Sequence, residues 1–244
     1  MIAEGPADTA ADHPDLPERV NAATAMRRLA HAMIAHRVDV ALLRRMADAA
    51  DRLAAEIEMQ PVRDRGEELL GSPRFAAGLQ AGSLGDVVGD VADDVAFVDL
   101  FHDSPVSGSA SPFSIGLRIR REGDESIGTV TLAPGWQGAP GRGHGGVVAA
   151  CVDETLGGLL PVLGTMAFTG QLTVNYVAPC PLGEPIEFRA RLQRREGRKL
   201  YIDCIGTGRG GIFVKATSVF IAVELDDLGA LMGDPGPSAE RSSG

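Results

Sequence analysis

The first quarter of the chain carries hydrophobic residues at helical spacing. Asp15 can cap a helix whose first turn contains Pro17, and the apolar positions that follow recur close to the period of a helix. These positions are Val20, Met26, Leu29, Met33 and Ile34. A second helix is predicted over residues 39–59, with Asp39 as its cap. The two helices are expected to form an appendage to the rest of the chain.

From about residue 93 the pattern becomes that of strands. PFSIGLRIRREGDESIGTVTLAP predicts two strands joined by a turn at Glu122-Gly123-Asp124. A helix apolar nearly all round follows from Gly145 to Leu160, ended by Pro161. Four more strands are predicted in FTGQLTVNYV, PIEFRARLQRRE, RKLYIDCIGTG and GIFVKATSVFIAVEL. Such a helix must be buried, so we expect an α+β fold in which an antiparallel sheet of about six strands surrounds it.

These patterns divide the chain into four parts. Residues 1–14 are acidic and contain proline, which predicts disorder. Residues 15–92 form the helical extension and a linker with room for one short helix. The strand-rich domain occupies residues 93–226, and residues 227–244 form a flexible tail.

Composition narrows the possible partners. Aromatic residues make up only 5% of the chain, so the core must be aliphatic, and the net charge of -10 argues against nucleic acid or anionic lipid as a partner. No apolar run reaches the roughly 20 residues of a membrane span. Cys151, Cys180 and Cys204 form neither a disulfide framework nor metal-ligand spacing, so buried thiols and no bound metal are expected. The first residues lack the pattern of a signal peptide, which favours a cytoplasmic location.

The stretch GRGHGGVVAACVDETLGGLL places two carboxylates, Asp153 and Glu154, inside an apolar helix. They lie about 100° apart around the helix axis, so one can face outward while the other faces a cavity. A buried carboxylate is costly unless paired, although both could also be plain surface or interface acids. The glycines around His144 leave unpaired helix N–H groups open to an oxyanion or a carbonyl, but they could also serve packing alone.

Helix geometry places Asp153 far from the glycine-rich start of the helix. Gly145 and Asp153 are eight residues apart, which is about 12 Å along a helix. A carbonyl held by the Gly145 amide cannot also lie beside Asp153 of the same helix. If both act on one substrate, a second helix must supply one of them, which indicates a symmetric dimer with sites shared across its interface.

HGGVVAACVDETLGG resembles the HGG-(six residues)-D signature of hotdog-fold acyl-CoA thioesterases, in particular the PaaI-like branch. The resemblance covers roughly residues 94–224 and includes the downstream TVNYVAP, while the N-terminal helices lie outside it. It implies a hotdog fold that hydrolyses an acyl-CoA substrate without a cofactor, as a homodimer or a dimer of dimers.

The resemblance also implies roles for individual residues. Asp153 falls on the catalytic carboxylate, as general base or nucleophile, with Glu154 a minority alternative. Gly145 falls on the amide that polarises the thioester carbonyl, with His144 lining the site and Thr169 near the attacking water. Residues expected to contact substrate or coenzyme A are Gly146, Asn175, Arg195, Arg198 and Lys199. The last three belong to the cluster RREGRK, whose side chains could bind the phosphates of coenzyme A or could simply be solvated charges at a turn.

Two other functions remain open at this stage. A hotdog domain can bind acyl-CoA as a sensor or scaffold, with the N-terminal helices as an interaction arm, although a pure binder gains nothing from a buried Asp153. A hydratase or dehydratase would need an Asp/His pair at the substrate's α and β carbons, and here Asp153 lies nine residues from His144. Trp136 and Tyr176 are assigned to packing.

Overall fold

A computed structural model describes residues 14–64, 68 and 102–223. Within them the helices are α1 (Leu16–Ala35), α2 (Val40–Glu58), α3 (Gly145–Gly157) and α4 (Leu159–Val162), with a 3₁₀ turn at Pro134–Trp136. The strands are β1 (Arg118–Glu122), β2 (Glu125–Thr131), β3 (Ala167–Tyr176), β4 (Pro185–Glu196), β5 (Lys199–Gly208) and β6 (Gly211–Ala222). They form one antiparallel sheet in the order β1-β2-β4-β5-β6-β3. The predicted strands and their α+β arrangement with a central helix are confirmed.

Alternation along the strands places the core on one face of the sheet. In β5 the side chains of Leu200, Ile202 and Cys204 are buried, and the residues between them are only partly covered. The helix α3 lies against this face through Val148, Cys151, Val152, Thr155 and Leu156. Phe188 and Phe213 meet edge to face, with ring centroids 5.7 Å apart, and most of the remaining core is aliphatic.

One glycine sets how closely α3 can approach the sheet. A Cβ atom on Gly128 would lie 2.3 Å from the hydroxyl oxygen of Thr155, which donates to the Cys151 carbonyl at 2.7 Å. Because the hydroxyl is already bonded and buried, there is no space for a side chain on β2 at this point. Gly128 therefore allows the close contact that holds the helix against the sheet.

The prediction that Pro161 ends the central helix is wrong. The helix α3 ends at Gly157, and Pro161 lies inside the next short helix, α4. Proline is tolerated there because the first turn of a helix needs no donor from its N–H groups. Residues Gly145–Val162 have a mean hydropathy of 1.3, enough to qualify as a candidate membrane span, but their buried side chains belong to the domain core.

The two N-terminal helices form where they were predicted, but the cap and the packed face of α1 differ from the prediction. Asp39 caps α2 by accepting from the Leu42 N–H at 2.9 Å, as predicted. Asp15 occupies the N-cap position of α1, but its side chain makes no capping hydrogen bond and pairs with Arg19 instead. The helix α1 contacts the domain through Ala23, Arg27 and His31. Four of the apolar residues that predicted the helix are exposed instead: Met26, Leu29, Met33 and Ile34.

Two side chains attach α1 to the domain. Arg27 donates to the carbonyl oxygens of Ser109 and Ser111, and the His31 ring meets the edge of Trp136 at 5.5 Å between centroids. The Nδ1 atom of His31 and the Nε1 atom of Trp136 are buried and have no hydrogen-bond partner within the part of the chain that the structure describes. The predicted disorder of residues 1–14, most of the linker and the C-terminal tail fall largely or entirely outside the described residues.

The contact between α1 and the domain at His31 and Trp136 should weaken at low pH. Burial lowers the pKa of His31 from its usual 6.5, and the charge of Arg27 lowers it further. The undocked helix therefore takes up a proton more readily, so docking is complete above pH 6.5 and weakens as the pH falls below that value. Trp136 is the single tryptophan, so its fluorescence should change in this acid range. His31→Phe, which keeps a ring but cannot titrate, should abolish the change; a change that persists in this variant would mean that another group causes it.

Candidate active site

The start of α3 is held by two side chains. His144 is the N-cap, and its Nδ1 accepts from the Gly146 N–H at 3.0 Å. The Tyr176 hydroxyl, at the end of β3, donates to the Gly145 carbonyl at 2.7 Å. The N–H and the carbonyl of the peptide between Gly145 and Gly146 are therefore both hydrogen-bonded to side chains, which fixes the orientation of the helix start.

The next N–H group toward the N-terminus is left unpaired. The Gly145 N–H, at the first helical position, has no acceptor among the described residues. The preceding loop is fixed by the N–H groups of Gly143, which donates to the Cys180 carbonyl, and His144, which donates to the Trp136 carbonyl, each at 2.9 Å. An immobile, unpaired N–H at the positive end of a helix is suited to bind a carbonyl or oxyanion.

Asp153 lies two turns further along α3 and faces β3. Thr169 donates from its hydroxyl to the Asp153 Oδ1 atom at 3.1 Å, so the structure brings these two predicted site residues together. Asp153 is half-buried and Thr169 exposed. Within the described residues the carboxylate therefore has one hydrogen-bond donor, and it is partly open to water or substrate.

Glu154 points elsewhere and has different partners. It accepts hydrogen bonds from the hydroxyls of Ser104, at 2.8 Å, and Ser107. Ser104 in turn accepts from the Val106 N–H at 3.2 Å. Glu154 thus anchors the loop before β1 to the central helix, a structural role that sequence reasoning did not identify.

A bulge in β3 decides which residues share a face with Thr169. The register of the pairing between β3 and β6 shifts between Thr169 and Gln171, so that Gly170 is an extra residue without a partner in β6. Thr169 lies opposite buried Phe220 and Tyr176 opposite buried Val214, so both are on the α3 side of the sheet. Asn175, which was expected to contact substrate or coenzyme A, lies opposite exposed Lys215, on the other face of the sheet from Thr169.

The RREGRK cluster occupies the β4–β5 turn and is divided between the two faces. Arg195 lies opposite buried Leu200, which itself lies opposite Phe220 and so shares a row with Thr169. Three strand spacings separate Arg195 from Thr169, or about 14 Å. Lys199 lies on the opposite face, and Arg198 donates to the Ala222 carbonyl at 2.9 Å.

The site residues therefore fall into two groups at opposite ends of β3. Asp153 and Thr169 are at its start, and the helix start with Tyr176 is at its end, roughly 20 Å away along the strand. Tyr176 was assigned to packing, and its contact with Gly145 was missed because no spacing in the sequence relates residues so distant. The family-like TVNYVAP stretch was the only signal that singled out this tyrosine.

The cysteines are not candidates for nucleophilic chemistry. All three are buried and unpaired. Burial raises the pKa of Cys151 to about 12, Cys180 to about 11 and Cys204 to about 12. Among the described residues no group of three or more His, Cys, Asp or Glu side chains is arranged to hold a metal ion.

Substitution of Glu154 should lower the free energy of unfolding more than substitution of its neighbour Asp153. Glu154→Ala removes the acceptor of two hydroxyls in a half-buried site and should cost about 1–3 kcal/mol in urea unfolding. Glu154→Gln retains one acceptor oxygen and should cost less. Asp153→Asn, whose site is open to water, should leave stability within about 0.5 kcal/mol. Equal stability of Glu154→Ala and the native chain would contradict the anchoring role.

The family model and the curated relatives that this chain matches are described as thioesterases. Residues 141–211 match the family described as the thioesterase superfamily. Acyl-coenzyme A thioesterase THEM4 of Mus musculus is 35% identical over 101 residues, which are 39% of this chain and 44% of that protein. The match therefore spans less than half the length of this curated relative.

Solved structures extend the comparison beyond the motif. A crystal structure of a thioesterase superfamily protein covers 83% of this chain and 90% of its own, at 26% identity and a TM-score of 0.66. The PaaI protein of E. coli aligns with 45% of this chain and 80% of its own, at 15% identity and a TM-score of 0.42. The strand-rich part of this chain thus has the hotdog fold and is similar to thioesterase-superfamily proteins.

Proposed function

We propose that this protein hydrolyses acyl-CoA thioesters to the free acid and coenzyme A. The observation that carries the proposal is a half-buried carboxylate, Asp153, on a largely apolar helix whose first N–H, that of Gly145, has no acceptor among the described residues. The relatedness to proteins named acyl-coenzyme A thioesterases supports the same substrate class.

The chemistry requires two groups from this chain. The Gly145 N–H binds the thioester carbonyl oxygen and stabilises the negative charge that develops on it during attack. Asp153 takes a proton from a water molecule that attacks the carbonyl carbon, or attacks that carbon itself, and Thr169 orients the carboxylate. The carbon–sulfur bond then breaks and the coenzyme A thiolate leaves. When water attacks, the product is the free acid, and the thiolate takes up the proton that Asp153 removed. When Asp153 attacks, the product is an acyl–aspartate anhydride, which a water molecule hydrolyses to the free acid and the regenerated carboxylate, and the proton released goes to the thiolate.

A second copy of the chain would bring these two groups together. Asp153 and Gly145 are about 12 Å apart on one helix, too far for one carbonyl. Among the described residues β3 is an edge strand, paired only with β6. If two such edges pair antiparallel about a two-fold axis, the Thr169 end of one strand lies beside the Tyr176 end of the other. Asp153 of one chain then faces the helix start of its partner.

Within this arrangement Arg195 is the residue of the basic turn best placed to meet a coenzyme A phosphate. It shares a face and a row with Thr169, and its long side chain can cross part of the distance between them. Arg198 is bonded to a backbone carbonyl and Lys199 lies on the other face of the sheet, so both are less suited to this contact.

The first test is thiol release from short, medium, long and aromatic acyl-CoAs. The native chain should hydrolyse one class, and Asp153→Asn should lose about 10²–10⁴-fold of kcat while remaining folded, because the base or nucleophile is gone. Thr169→Val, which removes only the orienting hydroxyl, should lose less. If the native chain binds acyl-CoA without releasing thiol, it is a binding protein and the proposed reaction is wrong.

A matched pair of variants tests the amide. Gly145→Pro removes the N–H at the first helical position, where proline fits and where the extended backbone of His144 is already compatible with it. Its kcat should fall about 10²–10³-fold. Gly145→Ala keeps the N–H, and its Cβ would meet Tyr176 at an ordinary 3.5 Å, so it should stay near native activity.

Co-expression then tests whether the site is shared. Dimers that combine an Asp153→Asn chain with a Gly145→Pro chain hold one intact site, so a random mixture should recover about a quarter of native activity. If each site were built within one chain, the mixture would be no more active than its two components measured separately.

A further inference from the structure

The helix α1 contacts the domain through a narrow stripe of side chains. Ala23, Arg27 and His31 follow one another at intervals of four residues, so they lie nearly in one line along the helix. Ala23 is buried, and Arg27 and His31 are half-buried. The larger apolar side chains Met26 and Ile34 are 57% and 61% exposed. Docking of α1 therefore depends on a few specific contacts rather than on a broad apolar face.

The contact at His31 is linked to the start of α3. A Cβ atom on Gly135 would lie only 2.4 Å from the His31 Nδ1 atom, so the imidazole packs directly on the backbone of the 3₁₀ turn, and it also meets the Trp136 ring. The carbonyl of Trp136 accepts the His144 N–H at 2.9 Å, and His144 is the N-cap of α3. His31 is therefore connected, through two intervening residues, to the peptide that carries the Gly145 N–H.

The loop between the 3₁₀ turn and α3 is hydrogen-bonded to itself. The backbones of Gln137 and Gly143 form an antiparallel bridge, and the Gly138 N–H donates to the Arg142 carbonyl at 3.0 Å. Because these bonds tie the two arms of the loop together, a displacement of the 3₁₀ turn is carried to His144 rather than absorbed within the loop.

The contact at Arg27 is linked to the other half of the candidate site. Arg27 donates to two carbonyl oxygens of the loop before β1, those of Ser109, at 3.1 Å, and Ser111. Two serine hydroxyls of the same loop donate to Glu154, which follows Asp153 in α3. The helix α1 thus contacts two loops, one attached to the start of α3 and the other attached beside Asp153.

We propose that α1 is a positioning element for the proposed reaction, in which His31 and Arg27 hold the two loops that fix the Gly145 N–H and the Asp153 carboxylate. The effect on rate rests on the proposed function, whereas the holding of the helix start does not. The described contacts of these two side chains with the domain go to the loops, so their loss displaces the reacting groups without removing one. A small displacement is enough to slow a reaction that depends on alignment.

Two matched pairs of full-length variants test this role by steady-state thiol release. His31→Ala removes the ring contact and should lower kcat on the order of 10-fold, whereas His31→Phe, which keeps a ring against Trp136, should stay within about twofold of native. Arg27→Met removes the two hydrogen bonds to the loop and should also lower kcat, whereas Arg28→Met, at the neighbouring exposed arginine, should not. KM should stay within about twofold throughout, because no group that binds the substrate is removed.

Amide hydrogen exchange separates this role both from a general loss of stability and from the proposed reaction. The N–H groups of Gly143 and His144 are bonded to the carbonyls of Cys180 and Trp136, and they should exchange several-fold faster in His31→Ala, while the amides of β5 keep the native rate. Exchange that rises equally in β5 would mean that α1 only stabilises the whole domain, which would overturn the positioning role.

The remaining outcomes distinguish the two proposals. If the native chain releases no thiol, the proposed reaction is wrong, and the exchange rates alone decide whether α1 holds the helix start. If the native chain is active, an unchanged kcat in both His31→Ala and Arg27→Met would overturn the positioning role and leave the proposed reaction standing. Unchanged exchange at Gly143 and His144 would overturn the positioning role in either case.

Discussion

The packing of α3 against one face of the sheet is the constraint on which the rest of this structure depends. Buried Cys151, Val152 and Leu156 fix the rotation of the helix about its axis. Once that rotation is set, Asp153 must face β3 and Glu154 must face the loop before β1, because adjacent residues diverge by about 100°. Two neighbouring carboxylates of similar chemistry thereby take different partners, one an orienting threonine at an open edge and the other a pair of serines that hold a loop.

The same packing holds the two halves of the proposed site apart in each chain. The N–H of Gly145, which has no acceptor among the described residues, and the carboxylate of Asp153 belong to one helix, so no local movement can bring them together. The helix start contacts Tyr176 and Asp153 contacts Thr169, at opposite ends of β3, and β3 is an edge strand within the described residues. A second edge of the same kind would complete both halves at once, which gives one physical reason for the edge strand and for the distribution of the site residues.

The N-terminal helices have different relations to the domain. The helix α1 is attached through Arg27 and through the His31–Trp136 contact, and Trp136 belongs to the loop that supports the start of α3. A change in the docking of α1 therefore acts on the same loop as the candidate oxyanion site. In the helix α2, by contrast, no residue is buried among the described residues.

Much of this arrangement was determined by the sequence itself. Alternation and helical periodicity predicted six strands and the central helix, and the HGG-to-Asp spacing selected His144, Gly145 and Asp153 before any contact was known. Only the tertiary structure decided the rest. The bulge at Gly170 placed Asn175 on the other face from Thr169, Tyr176 reached a helix start 31 residues away, and α1 docked through Ala23, Arg27 and His31 rather than its larger apolar residues. Spacing along the chain reports on local periodicity, whereas a bulge, a distant hydrogen bond and a docked face depend on how separate elements meet.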